Sequence, residues 1–568
     1  MAKEWWKEGV VYQIYPSSFK DSNGDGIGDI PGIISELDYI KSLGVEIVWV
    51  CPFYKSPQYD MGYDISDYQD VYEKYGTVED VDALIQGCHE RGMRIIFDLV
   101  VNHTSHLHAW FQESASSKTN PKHDWYIWRP ARYLNGERLP PCNWRSFFGG
   151  SVWEWDDNIG EYYLHLFARE QPDLNWDNPE VRQAIYNDAM RFWLDKGADG
   201  FRIDTVNMFS KRLDFPDAHV VEPETPWQPA YDLICNGPRM HEFLREMNDE
   251  VLSKYDAMTV GELPHTPDPA HVLRYVSASA RQLQQVFQMD LVFLDFGEKS
   301  KFYPRKWALT EFKETLQKWQ SFIEGNDGWT TNFLENHDTG RSVSRYGSDS
   351  PQFAAASAKM LAVFLTTLTG TTYVYQGQEI GMVNAPKIWP IEEYKDIESL
   401  NFYNEVKQVT GGDKVALEKV MKGIQLTARD HTRLPFQWNA SANAGFTTAA
   451  KPWMRVHDNY REINASQQSE DPASILSFWK KMIKLRKRHS ELFVHGSFKI
   501  CDFEDEKVLT YVKERGKKRA VVLLNFSEKP QKVNVELVSD MAILVSNYTC
   551  KSAESYLLPF EGRVYIYI

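Results

Sequence analysis

Short apolar runs alternate with amphipathic stretches over most of the chain. Residues 10–15, 46–51 and 95–101 are near-continuous hydrophobic runs, the pattern of strands covered on both faces. Between them, apolar positions recur at helical spacing. Residues 33–43 form one such stretch, ended by Gly44. Residues 78–91 follow Thr77 and stop at Gly92. Residues 181–196 follow Asn178-Pro179 and stop at Gly197. Caps at the starts and glycines at the ends stand where helices need them. Further strands are predicted at 200–204, 258–262, 288–294, 330–335 and 371–375. Eight strands with intervening helices define an α/β chain folded as a closed (β/α)8, or TIM, barrel.

Two excursions are too long for plain connections. Residues 104–173, rich in Trp, Pro, Asn and Gly, read as a subdomain inserted after the third strand. A second excursion, about 378–450, follows the eighth. From about residue 496 the pattern changes to β-branched, alternating segments at 508–512, 520–524, 532–536 and 563–568, which predict an antiparallel β domain. The expected division is a barrel over 1–103 and 174–495, an insert over 104–173 and a C-terminal domain over 496–568.

At 568 residues with 43% apolar composition, the chain can bury a large core. Its net charge of −16 argues against nucleic acid, whose phosphates need a basic surface, and against an anionic membrane. A neutral small-molecule substrate is expected, as is a monomer or at most a dimer. The six cysteines are scattered, the N-terminus carries no signal-like apolar run, and the apolar helical stretch at 360–369 is too short to span a bilayer. A cytoplasmic protein with reduced thiols is the expectation. The 14% aromatic content suits sugar binding, although aromatics also fill cores.

Barrel chemistry lies at the C-terminal ends of the strands. There the chain places Asp204, Glu262 and Asp338 with His103, His337 and Arg202. Any one acid could be a helix cap. Three acids packed at one rim must split their pKa values, which is what cleavage of a glycosidic bond requires of a nucleophile and a proton donor. Arg202 shares a strand face with Asp204 and is expected to keep it ionised, leaving Glu262 protonated.

These segments resemble the α-amylase superfamily of glycoside hydrolases, in its oligo-1,6-glucosidase and maltase branch. DLVVNH, GFRIDTVN, VGEL and FLENHD match its four ordered signatures, and QPDLN resembles a further motif closing the insert. The similarity runs from about Trp5 to Trp438. It implies that Asp204 is the nucleophile of a retaining α-glucosidase, Glu262 the acid and base, and Asp338 the holder of the 2- and 3-hydroxyls, with His103 and His337 as donors to the same sugar. It further implies that Tyr63 stacks on the terminal glucose and that Asp60 pairs with Arg429 around its 4-hydroxyl, with Arg433 as runner-up. Phe167 and Gln171 complete the wall. Such a closed pocket removes one glucose at a time.

Thr205, after the nucleophile, resembles maltases, where α-1,6 enzymes tend to carry Val. Leu263-Pro264 lacks the Gln common in isomaltases. Maltose, maltotriose and sucrose are therefore the expected substrates. The alternatives are an isomaltase, a transglycosylase or sucrose isomerase, and, more remotely, a non-catalytic transporter partner. Residues 21–29, DSNGDGIGD, place Asp21, Asn23, Asp25, the Ile27 carbonyl and Asp29 as in positions one to nine of a calcium loop. Gly32 stands where an EF-hand has Glu. The resemblance implies a structural Ca2+, or Mg2+, away from the catalytic pocket and no organic cofactor.

Overall fold

The computed structural model describes residues 4–533, 538, 541–548 and 555–567. Eight parallel strands form one sheet: β1 (Val10–Ile14), β2 (Ile47–Val50), β3 (Arg94–Leu99), β4 (Gly200–Ile203), β5 (Met258–Leu263), β6 (Gln285–Gln288), β7 (Thr331–Asn332) and β8 (Thr371–Tyr375). Their order is β6-β5-β4-β3-β2-β1-β8-β7, with Val11 opposite both Ile47 and Tyr373. β6 and β7 are joined by the Thr331 hydroxyl, which donates to the Val286 carbonyl at 2.9 Å.

The strands are hydrophobic on both faces because each face meets a different core. Val11, Ile47, Trp49, Ile96, Val260, Phe287 and Tyr373 pack together inside the barrel. Val10, Tyr12, Val48, Ile95 and Ile203 pack outward against the helices. Polar residues continuing the inward series, such as Gln13, Asp98 and Arg202, are therefore carried to the mouth of the barrel.

Two strands differ from expectation. The sixth pairs over Gln285–Gln288, not 288–294. The apolar run is longer than the strand, and its later residues fold back: Met289 and Val292 join the inner core while Phe293 reaches a cavity. The seventh pairs only at Thr331–Asn332, because the chain then turns to bury Glu335 against Arg341 and the backbone of Ser342. The helix expected at 33–43 is two, Ile30–Ser35 and Leu37–Leu43, separated at Glu36. The stretch 181–196 is helical throughout but π-wound over Ile185–Arg191.

Between His103 and Asp173, which pair as an isolated bridge, lies a three-stranded sheet of Trp128–Arg129, Trp153–Asp156 and Glu161–Leu164. At the C-terminus, β9 (Ser497–Ile500), β10 (Val508–Arg515), β11 (Lys518–Asn525), β12 (Ala542–Ser546) and β13 (Gly562–Tyr567) form an antiparallel sheet in the order β9-β10-β11-β13-β12. Of the expected segment 532–536, Lys532 belongs to the short strand Gln531–Lys532, paired with Tyr556–Leu557; residues 534–537 lie outside the described residues, as do Cys550 and Ile568. Cys51, Cys88, Cys142, Cys235 and Cys501 are free thiols, the first four buried. Among the described residues no helix is long and apolar enough to cross a membrane.

Candidate active site

One cavity of about 430 Å³ opens at the C-terminal end of the barrel. Asp60, Tyr63, His103, Phe167, Asp204, Thr205, Glu262, His337, Asp338 and Arg429 all line it. Arg202 lies beneath, 1% exposed. Gln171 stands behind the wall, donating to Asp60 at 3.1 Å.

Arg202 organises the floor. Its Nη1 donates to Asp98 at 2.8 Å and to Asp204 Oδ1 at 2.6 Å, and its Nη2 to Glu262 Oε2 at 2.7 Å. The expectation that it would serve Asp204 and leave Glu262 apart is corrected: one fork holds both acids, and Asp98 as well. Burial pushes Asp204 and Glu262 each up to about 7 and Asp98 up to about 6, with Arg202 opposing the shift. Three carboxyls on one guanidinium cannot all ionise easily, so Asp204 and Glu262 titrate as a pair near neutrality. Thr205 donates its backbone N–H to Glu262 Oε2 at 3.2 Å and its hydroxyl to Asp204 Oδ2 at 3.3 Å. It does so from the left-handed region, φ 38°, a strained setting for a β-branched residue.

A second hub forms the blind end. Arg429 donates to Asp60 at 3.0 Å, Asp338 at 3.2 Å and Asp396 at 2.8 Å. Arg433 donates to Asp338 at 3.1 Å and Asp396 at 2.9 Å. The expected Asp60–Arg429 pair is present, and Arg433 supports Asp338 rather than Asp60. Burial pushes His337 down to about 3 and leaves it neutral. Burial also pushes Asp338 upward, but the charges around it outweigh that effect and hold it below the usual carboxylate range; with His337 neutral, the cations responsible are Arg429, Arg433 and Arg202.

The histidines are fixed by neighbours. The Gln13 amide donates to His337 Nδ1 at 2.9 Å, so the proton sits on Nε2, facing the Tyr63 hydroxyl at 2.5 Å and Asp338 at 3.0 Å. The Tyr63 ring lies parallel to His337, centroids 5.2 Å apart, and its hydroxyl reaches Asp98 at 3.1 Å. His103 is neutral through burial and meets the Tyr63 carbonyl at 3.0 Å and Gln171 at 3.1 Å. Phe167 packs on His103 at 5.1 Å.

Asp98, Asp396 and Gln13 were not among the expected site residues. Asp98 and Gln13 carry a signal: each stands two positions after an inward core residue, Ile96 and Val11. Asp396 caps the helix Ile397–Val409 within the last excursion, where neither motif nor periodicity marks it.

The loop at 21–29 is wound by side-chain caps. Asp21 accepts from the backbone of Asn23, Gly24 and Gly26, Asn23 from Asp25, and Asp25 from Ile27. Asp29 accepts from Ser22 and caps the first turn at Gly32. Among the described residues no three His, Cys, Asp or Glu side chains close into a metal cage. The donor set is nonetheless all oxygen; Asp25 pairs with Lys74 at 3.4 Å, while Asp21 and Asp29 make no ion pair among the described residues. Burial, with the charge of Asp21 adding to it, raises Asp29. Uncompensated buried charge of this type fits a hard cation, completed by the Asn23 amide and Ile27 carbonyl.

An inner-barrel floor with paired acids on an arginine, below a pocket closed by a second charged hub, is the construction of a glycosidase. The family model for the α-amylase catalytic domain matches residues 13–496. An α-glucosidase of Candida albicans is 51% identical over 99% of both chains. An oligo-1,6-glucosidase of Parageobacillus thermoglucosidasius is 48% identical over 100% of this chain and 99% of its own. A crystal structure of isomaltulose synthase from Klebsiella sp. LX3 superposes with a TM-score of 0.93 at 41% identity, covering 100% of both chains. The chain belongs to the α-amylase family, and it is a glycosidase of the α-glucosidase class.

Proposed function

We propose that the protein is a retaining, exo-acting α-glucosidase releasing glucose from the non-reducing ends of short α-glucosides, with α-1,4 linkages preferred. The observation that carries this is the Arg202 fork holding Asp204 and Glu262 at the foot of a pocket whose far end is shut by Asp60, Arg429 and Gln171. Asp204 has Oδ1 held by Arg202 at 2.6 Å, which leaves Oδ2, with only the longer 3.3 Å bond from the Thr205 hydroxyl, to attack the anomeric carbon. Glu262 has Oε2 committed to Arg202 and Thr205, which leaves Oε1 to protonate the departing glycosidic oxygen and later to take a proton from water. The proton the pair retains near neutrality is the one transferred. Asp338, ionised, would accept from ring hydroxyls, and neutral His103 and His337 would serve the same sugar, with bonds that strengthen as oxocarbenium character develops.

Thr205 supports the α-1,4 preference, since its hydroxyl sits on Asp204, beside the bond to be cut. The contacts of the floor serve α-1,6 cleavage equally, and the oligo-1,6-glucosidase relative keeps that reading as the rival. A product assay on maltose, isomaltose and sucrose with anomer detection separates them. Net release of α-glucose from maltose, abolished in Asp204→Asn with the fold intact, is expected; first-formed β-glucose would sink the retaining reading.

We further propose that the 21–29 loop holds a structural Ca2+, with Mg2+ as the alternative. It would supply no chemistry to bond cleavage. It would pin this loop to the last excursion, where Asp21 already meets Thr447 and its backbone donates to Phe446 at 3.0 Å. The four buried free thiols support a reducing, cytoplasmic setting.

A further inference from the structure

The cavity has a charge balance that the cleavage reaction does not require. Eight carboxylic side chains line it against four cationic ones. Each of the four cations is already spent: Arg145 on Glu222 and Glu405, Lys299 on Glu224, Lys301 on Glu398, and Arg429 on the acids of the blind end. Glu298, exposed at the same rim, makes no ion pair among the described residues.

Exposure tells the two ends of the cavity apart. The side chains of Asp60 and Asp204 are 6% and 8% exposed, whereas Arg145 is 19% and Glu405 39% exposed. The Arg145 cluster therefore stands at the open side, where the group leaving with the glycosidic oxygen must sit. It also joins three separate excursions: Arg145 from the insert, Glu222 from the loop after β4, and Glu405 from the helix Ile397–Val409.

Resting on the glucosidase reading, we infer that Glu222 and Glu405 determine specificity on the leaving-group side: by masking Arg145 they make the mouth select uncharged or cationic aglycones and reject anionic ones, such as phosphorylated or carboxylated sugars. Two acids share one guanidinium, so the cluster is net negative, and an incoming anion meets repulsion from the acids and no unpaired cation to receive it. The same arithmetic says what reverses the preference. With both acids neutralised, Arg145 is left in the mouth as an unpaired fork suited to a carboxylate or phosphate.

The test compares kcat/KM on phenyl α-glucoside with 4-carboxyphenyl and 4-(aminomethyl)phenyl α-glucosides. Ratios between variant and wild type cancel the intrinsic reactivity of each leaving group. The double variant E222Q/E405Q should raise the carboxyphenyl-to-phenyl ratio by about fivefold or more. Adding R145M to it should return the ratio toward the wild-type value. In the wild type, raising salt from low concentration to about 0.5 M should raise the carboxyphenyl ratio and lower the aminomethyl ratio, because screening weakens both effects. Ratios indifferent to salt and to both variants, with phenyl α-glucoside still cleaved, overturn the inference. If the double variant does not fold, the salt series on the wild type decides alone. Wild-type enzyme that leaves phenyl α-glucoside intact would instead defeat the glucosidase reading.

Discussion

Replacing Asp204 by Asn should make the protein more stable at alkaline pH while removing turnover. Burial raises the Asp204 carboxyl from its ordinary 3.8 to about 7. A group whose folded pKa lies above its unfolded value binds its proton more tightly in the native state. Its contribution therefore turns unfavourable as pH rises from about 4 to about 7, and is fully unfavourable above that. Asparagine keeps the shape and removes the charge. It also gives up the 2.6 Å bond to Arg202, whose Nη1 retains Asp98 at 2.8 Å.

The sacrificed bond is lost at every pH, so the change in the variant-minus-wild-type gap isolates the charge. Between about pH 5 and pH 8 the carboxylate passes through roughly two units of its raised range, and at about 1.4 kcal/mol per unit the gap should widen by about 2–3 kcal/mol in the variant's favour. That figure is an upper value, because Glu262 and Asp98 share the cluster and relax when one charge leaves. The assay is tryptophan-fluorescence melting of both proteins at one heating rate, since a chain of this size is expected to unfold irreversibly. A gap identical at the two pH values would refute the reasoning, and with it the account of the floor as a site of excess negative charge.

Other consequences are more local. Thr205→Val removes the hydroxyl on Asp204 Oδ2 but keeps a β-branched side chain at the same positive φ, so the ratio of isomaltose to maltose cleavage should rise several-fold; an unmoved ratio removes Thr205 as a linkage determinant. Asp60→Ala should lower kcat/KM on maltose by about 10–100-fold, with a much smaller loss on a 4-deoxy analogue; equal losses on both would show that Asp60 does not read the 4-hydroxyl. Chelation should lower the melting temperature while leaving the initial rate at 25 °C nearly unchanged, and a parallel loss of rate would mean that a metal takes part in turnover.

Much of the barrel was legible because its strands are buried on both faces and its helices are punctuated by caps. Thr77 caps the helix it was expected to precede, in a reciprocal pair with Asp80 that the structure adds, and Gly44 adopts φ 90° at the end of its helix. What failed was the extent of apolar runs. The stretch around 285–294 is hydrophobic for two reasons, pairing in its first part and lining a cavity in its second, and periodicity cannot divide one from the other. The same limit hid Glu335, which reads as the end of a strand but leaves the sheet to meet Arg341. In the site, residues on strand ends were readable by alternation, which also marks Asp98 in retrospect. Asp396 was not, because its place depends on how an excursion of some seventy residues packs back over the mouth.

The two arginine hubs explain why acids of similar burial differ in proton affinity. On the floor, Asp98, Asp204 and Glu262 share the single guanidinium of Arg202. At the blind end, Asp60, Asp338 and Asp396 share Arg429 and Arg433, while Glu398, 3.7 Å from Arg429, is matched by Lys301. Three acids to one cation leaves the floor short of positive charge, and its carboxyls hold protons up to neutral pH. Three to two comes closer to balance at the other hub: Asp338 and Asp396 lie below the ordinary carboxylate range despite their burial, while burial still raises Asp60 against the opposing charges of Arg429 and Arg433. The division matches the chemistry proposed for each end: a proton must be available where the glycosidic bond breaks, and fixed negative charge is wanted where hydroxyls are gripped. The cations within reach of each acid, set against its burial, separate the floor acids that can exchange a proton from Asp338 and Asp396, which hold their charge.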